Sequence, residues 1–130
     1  MRNDYLYDDG GRSKYFRMKY KKDRVGDCVV RALAIATNED YNSVRNELWN
    51  ISLENGDMPN GSKTYEEFLK RRGFVKEKKI KGCSLGFYPV SLNHVFVVRL
   101  AKHLVCLDRG IVRDLWDCRG KYPYNTWRKP

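Results

Sequence analysis

The sequence predicts an α+β fold, with N-terminal helices, among them a central cysteine-bearing helix, packed on a C-terminal antiparallel sheet. Three observations lead there. Residues 28–72 repeat apolar side chains at helical spacing, as in "CVVRALAIAT" and "KTYEEFLKRRG". Beyond residue 73 the period changes, and "HVFVVRLAK" and "HLVCLDRGIVRDLWD" are rich in β-branched and aromatic residues around a turn at Asp108-Arg109-Gly110. Helices followed by strands, rather than alternating with them, specify α+β. A chain of 130 residues that is 42% apolar suffices for one core.

Taken in order, residues 1–25 are polar, basic and dotted with tyrosine. We set a basic N-terminal arm at residues 1–20 and a single domain at 21–130. Within the arm "DDGGRS" reads as a turn and "KYFRMKY" as a short strand. Asp27, after the permissive Gly26, is placed to cap a helix from Cys28 to Thr37. Its apolar residues cover more than one face, so it should be mostly buried, and Asn38 ends it. A second helix is expected from Glu39 to Asn50, with Tyr41, Val44, Leu48 and Ile51 inward. "LENGDMPNGS" is a loop, after which Ser62 caps a third helix with Tyr65, Phe68 and Leu69 inside and Gly73 as its stop. "FVKEKKIKG" makes one strand, residues 103–107 and 111–117 a hairpin, and "YNTW" a last short strand.

Composition narrows the function. A net charge of +10 suits an acidic partner, nucleic acid first among them, or simply confers solubility. Lys78, Lys79 and Lys81 in "KRRGFVKEKKIK" would meet phosphates or form a solvated face. In the tail, Lys121 and Trp127, with Tyr122 and Tyr124, form the best candidate patch for base stacking. No apolar run approaches the ~20 residues of a membrane span, and no secretory leader is evident. The expected location is the cytoplasm of a host cell or a virion. Cys28, Cys83, Cys106 and Cys118 form no C-x-x-C pair, so free thiols are expected, with no metal and no organic cofactor. Oligomeric state leaves no readable mark.

Cys28 stands at the first turn of the buried helix. There the unpaired N–H groups and the helix dipole favour thiolate and could stabilise an oxyanion. A thiol nucleophile needs a base, and the chain has two histidines, His94 and His103. His103 opens the hairpin that returns with Asp114 and Asp117, either of which could hold the imidazole, as the third member of a triad does. His94 has no such acid and reads as structural or substrate-facing. Trp116, between the two acids, reads as core or cleft wall. Arg31 pairs with a buried acid or meets a substrate carboxylate.

This layout resembles the papain-like cysteine peptidase fold, in which a cysteine opens the central helix and a histidine and an Asp or Asn follow on sheet strands. The stretches "DCVVRALAIAT", "TYEEFLKRRGF" and "KHLVCLDRGIVRDLWD", spanning about residues 25–118, are similar to small phage-encoded papain-like proteins. The resemblance implies Cys28 as nucleophile, His103 as base and Asp114 or Asp117 as orienter, acting on a peptide or isopeptide bond of a protein or peptide substrate. The family's glutamine about six residues before the cysteine has no counterpart here; a lysine such as Lys22, or the backbone, would take its place. The alternatives are a non-catalytic papain-like basic module that binds nucleic acid or a host or virion protein, and a virion component without a site.

Overall fold

A computed structural model describes residues 2–16, 26–90 and 93–129. Its elements are β1 (Asp4–Tyr7), α1 (Cys28–Thr37), α2 (Tyr41–Asn55), α3 (Ser62–Arg71), β2 (Val75–Glu77), β3 (Val95–Leu100), β4 (His103–Asp108), β5 (Ile111–Asp114) and β6 (Asn125–Lys129). Single 3-10 turns occur at Arg12–Lys14 and Leu85–Phe87. The six strands form one sheet in the order β1-β5-β4-β3-β6-β2.

α1 ends where Asn38 adopts a left-handed conformation and turns its N–H back to Ala34 and Ile35. Asp40 then caps α2 by accepting from the N–H groups of Asn42 and Ser43. That cap moves the start of α2 two residues beyond the expected Glu39. Its far end runs to Asn55, because Ile51 and Ser52 remain buried until Gly56 turns left-handed. α3 begins at Ser62 itself, with Gly61 in the cap position; the Asp57 carboxylate accepts from the Lys63 N–H, a role expected of Ser62.

The sheet is mixed, which corrects the expected all-antiparallel arrangement: β1 runs parallel to β5 along its edge, Asp4 opposite Ile111 through Tyr7 opposite Asp114. Within the expected strand "KYFRMKY", Lys14 ends a 3-10 turn and Tyr15 and Phe16 follow outside any strand; its remaining residues lie outside the described ones. The β4–β5 hairpin closes through Arg109 and Gly110, both at positive φ, with Asp108 opposite Ile111. β5 stops at Asp114, three residues before the expected end.

Alternation along the strands builds a core on each side of the sheet. Val97, Leu104 and Trp127 face the helices and meet Leu33, Val44, Leu48, Tyr65, Phe68 and Leu69. Phe96, Val98, Leu100, Val105, Leu107 and Val112 face the other way, against Leu85, Tyr88 and Cys118. Each fully buried Leu or Phe contributes roughly 1.5–3 kcal/mol by leaving water. Since β4 and β5 are antiparallel, the start of β4 and the end of β5 lie at the same end of the sheet, where α1 also begins. Among the described residues no helix is long and apolar enough to cross a membrane.

Candidate active site

Three side chains meet at that end of the sheet: Cys28 as the first residue of α1, His103 as the first of β4 and Asp114 as the last of β5. His103 Nε2 makes a short hydrogen bond to Asp114 Oδ2. The other Asp114 oxygen accepts from Arg31 Nη1 at 2.8 Å and from the Leu115 N–H at 2.8 Å. Its backbone carbonyl holds the Asp8 N–H and the Tyr5 hydroxyl. The carboxylate is therefore fixed from every side, and it in turn fixes the imidazole. Trp116 packs over that ring with centroids 5.1 Å apart and is 40% exposed, so it walls the site on the solvent side.

Burial pushes the Cys28 thiol up. Hydrogen bonding from the adjacent His103 and the Leu104 backbone N–H, together with the positive charges of His103 and Arg31, outweighs burial and leaves the thiol below its ordinary value. For His103 burial opposes the charge, but Asp114, Cys118 and Cys28 overcome it and push the imidazole up to about 11. Both shifts favour a thiolate beside an imidazolium. Burial raises Cys106 and Cys118 instead, which sets Cys28 apart from them chemically.

Asp27 behaves differently from the expected cap. It occupies the N-cap position of α1 but makes no capping bond. Its carboxylate accepts from Arg31 Nε at 2.8 Å, Arg12 Nε at 2.8 Å and the Tyr41 hydroxyl at 2.7 Å. The first-turn N–H groups of α1, Cys28 included, are thus left without a side-chain acceptor among the described residues. Arg31, 5% exposed inside the core, bridges Asp27 to Asp114 and is the ion pair its sequence position suggested. The rest of this network was missed in the sequence, because Arg12 and Tyr41 carry no signal beyond being a loop arginine and an apolar-stripe tyrosine.

Asp117 does not reach His103. It is exposed and chelates Arg119 through both carboxylate oxygens. His94 precedes β3, whereas Leu100 at the other end of that strand lies opposite His103. Six residues of extended chain, about 20 Å, separate the two positions. That places His94 away from the three meeting side chains, with its ring against Arg128 and Phe96. Lys22 lies outside the described residues. Trp127, expected to stack on bases, is 3% exposed and packs edge-on against Tyr65, because its register partner Val97 faces the helical core. Lys78, Lys81 and Lys121 are exposed, and Lys79 lies over the Tyr124 ring.

His103, Asp114 and Cys118 each offer one donor within 4.8 Å of the others, a spacing a soft divalent ion could use. Such an ion would have to displace the His103–Asp114 hydrogen bond while the Arg31 guanidinium stayed against the same carboxylate. A cavity of about 940 Å³ lies at the other end of α1, lined by Ala34–Tyr41, Asp108 and Arg113, and contains none of the three meeting side chains. No family model, curated protein or solved structure matches the chain.

Proposed function

We propose that this chain is a papain-like cysteine hydrolase that cleaves peptide or isopeptide bonds through a Cys28 thioester. The observation carrying this reading is the linked series Cys28, His103, Asp114 at the N-terminus of a buried helix, with the thiol lowered and the imidazole raised.

In the resting site Cys28 holds the thiolate and His103 the proton. With Nε2 committed to Asp114, Nδ1 is the ring nitrogen left to serve the thiol. The thiolate attacks the substrate carbonyl, and the oxyanion meets the uncapped N–H groups of α1. His103 gives its proton to the leaving amine as the C–N bond breaks, and an acyl thioester remains. Water then loses a proton to His103 and adds to the thioester carbonyl. Collapse breaks the C–S bond, releases the acid and restores the thiolate–imidazolium pair. Arg31 holds the second Asp114 oxygen throughout, so the carboxylate keeps its place against the ring.

The test is the alkylation rate of each cysteine by iodoacetamide from pH 5 to 9, resolved by mass spectrometry, in the native chain and in His103→Ala. Cys28 should react fastest at pH 6 and lose that lead in the variant. Four equally slow thiols would reject the nucleophile. The rival reading, a non-catalytic basic module, draws on the charge of +10 and predicts nucleic-acid affinity that falls steeply with salt.

A further inference from the structure

We propose that the end of the sheet around Tyr124 is a surface for single-stranded nucleic acid, whether or not Cys28 is a nucleophile. Strand register builds it. The Tyr124 N–H bonds to the Arg99 carbonyl at 2.7 Å, and Asn125, the first residue of β6, lies opposite Arg99 on β3. On the other flank of β6, Glu77 closes β2 opposite Thr126, so the chain leaving β2 brings Lys79 alongside Tyr124. Tyr124 thus stands at the head of the middle one of three adjacent strands, β3, β6 and β2, which run ~4.8 Å apart. A cation arrives from each side: Lys79 lies 5.4 Å from the ring centroid and the Arg99 guanidinium 5.6 Å.

These cations are available to a ligand. Arg31, Arg113 and Arg119 are each held by carboxylates. Among the described residues no carboxylate pairs with Arg99 or Lys79, and Arg99 reaches the Asn125 amide oxygen at 3.4 Å instead. Glu77, the acid that ends β2, is taken by Arg128. Exposed Lys78, beside Lys79, and exposed Lys102, in the turn that follows β3, extend the positive edge along this end of the sheet. Aromatic surface accompanies the charge: Tyr122 is 57% exposed and Tyr124 45%, while Trp127 points inward and leaves the stacking to them. Cations without a local acid call for phosphates, and rings set among them call for flat unpaired bases, which an acidic peptide lacks. A base laid on Tyr124 displaces one cation from the ring onto the flanking phosphate. A duplex keeps its bases stacked on one another, so a single strand is the ligand that fits. The net charge of +10 draws the same partner.

The test is the fluorescence anisotropy of a short labelled oligothymidylate on the intact chain, titrated over a range of salt. The native protein should bind it more tightly than the same strand in a duplex, and more tightly than polyglutamate. Arg99→Gln combined with Lys79→Gln should make the plot of log affinity against log salt shallower, by ~0.7 for each of the two lost phosphate contacts. Tyr124→Leu should weaken binding about fivefold or more at fixed salt and leave that slope alone. Lys63→Gln with Lys70→Gln removes the same charge from exposed positions of α3 and should leave the slope unchanged. Far-UV circular dichroism checks that each variant is folded. An equal loss in the two double variants would assign binding to net charge and overturn the inference. Duplex or polyglutamate bound as tightly as the single strand overturns it as well, as does no binding at low salt. Cys28 alkylation in the same samples reports on the hydrolase reading separately.

Discussion

Asp114 carries more of the site than its single carboxylate suggests, because its two oxygens serve different masters. One holds His103; the other is held by Arg31 and the Leu115 N–H. Asp114→Asn keeps the shape but removes the charge that raises His103, so the thiolate population at Cys28 should drop with it. Alkylation of Cys28 at pH 6 should slow about tenfold or more, since each pKa unit is a factor of ten in thiolate. Arg31→Met should act on stability instead. It takes one cation from Asp27, which keeps Arg12, and one from Asp114, which keeps His103, a loss on the order of 1.5–3 kcal/mol in denaturant unfolding. If Arg31→Met cost under about 1 kcal/mol, the bridge would be irrelevant to the fold.

At the level of elements, the site exists because three chain segments end together: α1 starts, β4 starts and β5 stops. The Asp108-Arg109-Gly110 turn was legible in the sequence, and with it the hairpin that returns an acid toward His103. Which acid arrives was not legible. The register Asp108 opposite Ile111 ends pairing early enough to turn Asp114 inward and leave Asp117 in solvent with Arg119. The N-terminal segment is joined to the same junction by a close approach. Gly10 adopts φ 67°, and a Cβ there would come within 2.9 Å of the Arg31 Cα. Gly10→Ala should therefore push the segment off α1, lowering stability by about 1–3 kcal/mol. A thermal melt within a degree of the native chain would contradict that contact.

Across the whole molecule the raised His103 ties folding to pH. Its folded pKa, about 11, lies above the ordinary imidazole value. A raised group of this kind stabilises the fold fully below its unfolded pKa, near 6.5, and the benefit fades as pH climbs toward the folded value. The stability gap between the native chain and His103→Gln should accordingly shrink steadily from pH 6 to pH 10 in urea titrations. A gap that widens over that range would mean that the imidazole is neutral in the fold.

Local pattern alone determined a good deal of this protein: the buried helix opened by Cys28, the three-helix order, the β3, β4 and β6 strands, and His103 at the head of a hairpin. Helical spacing, β-branched runs and turn residues are local signals, and they survive without knowledge of the partner. Tertiary structure decided what depends on distant pairing. The parallel β1 edge joins residues 4–7 to 111–114, the Arg31 bridge joins Asp27 to Asp114, and Trp127 turns inward because its register with Val97 faces it to the helices. Charge and aromaticity say what a side chain can do; strand register and helix placement decide which neighbour it does it to.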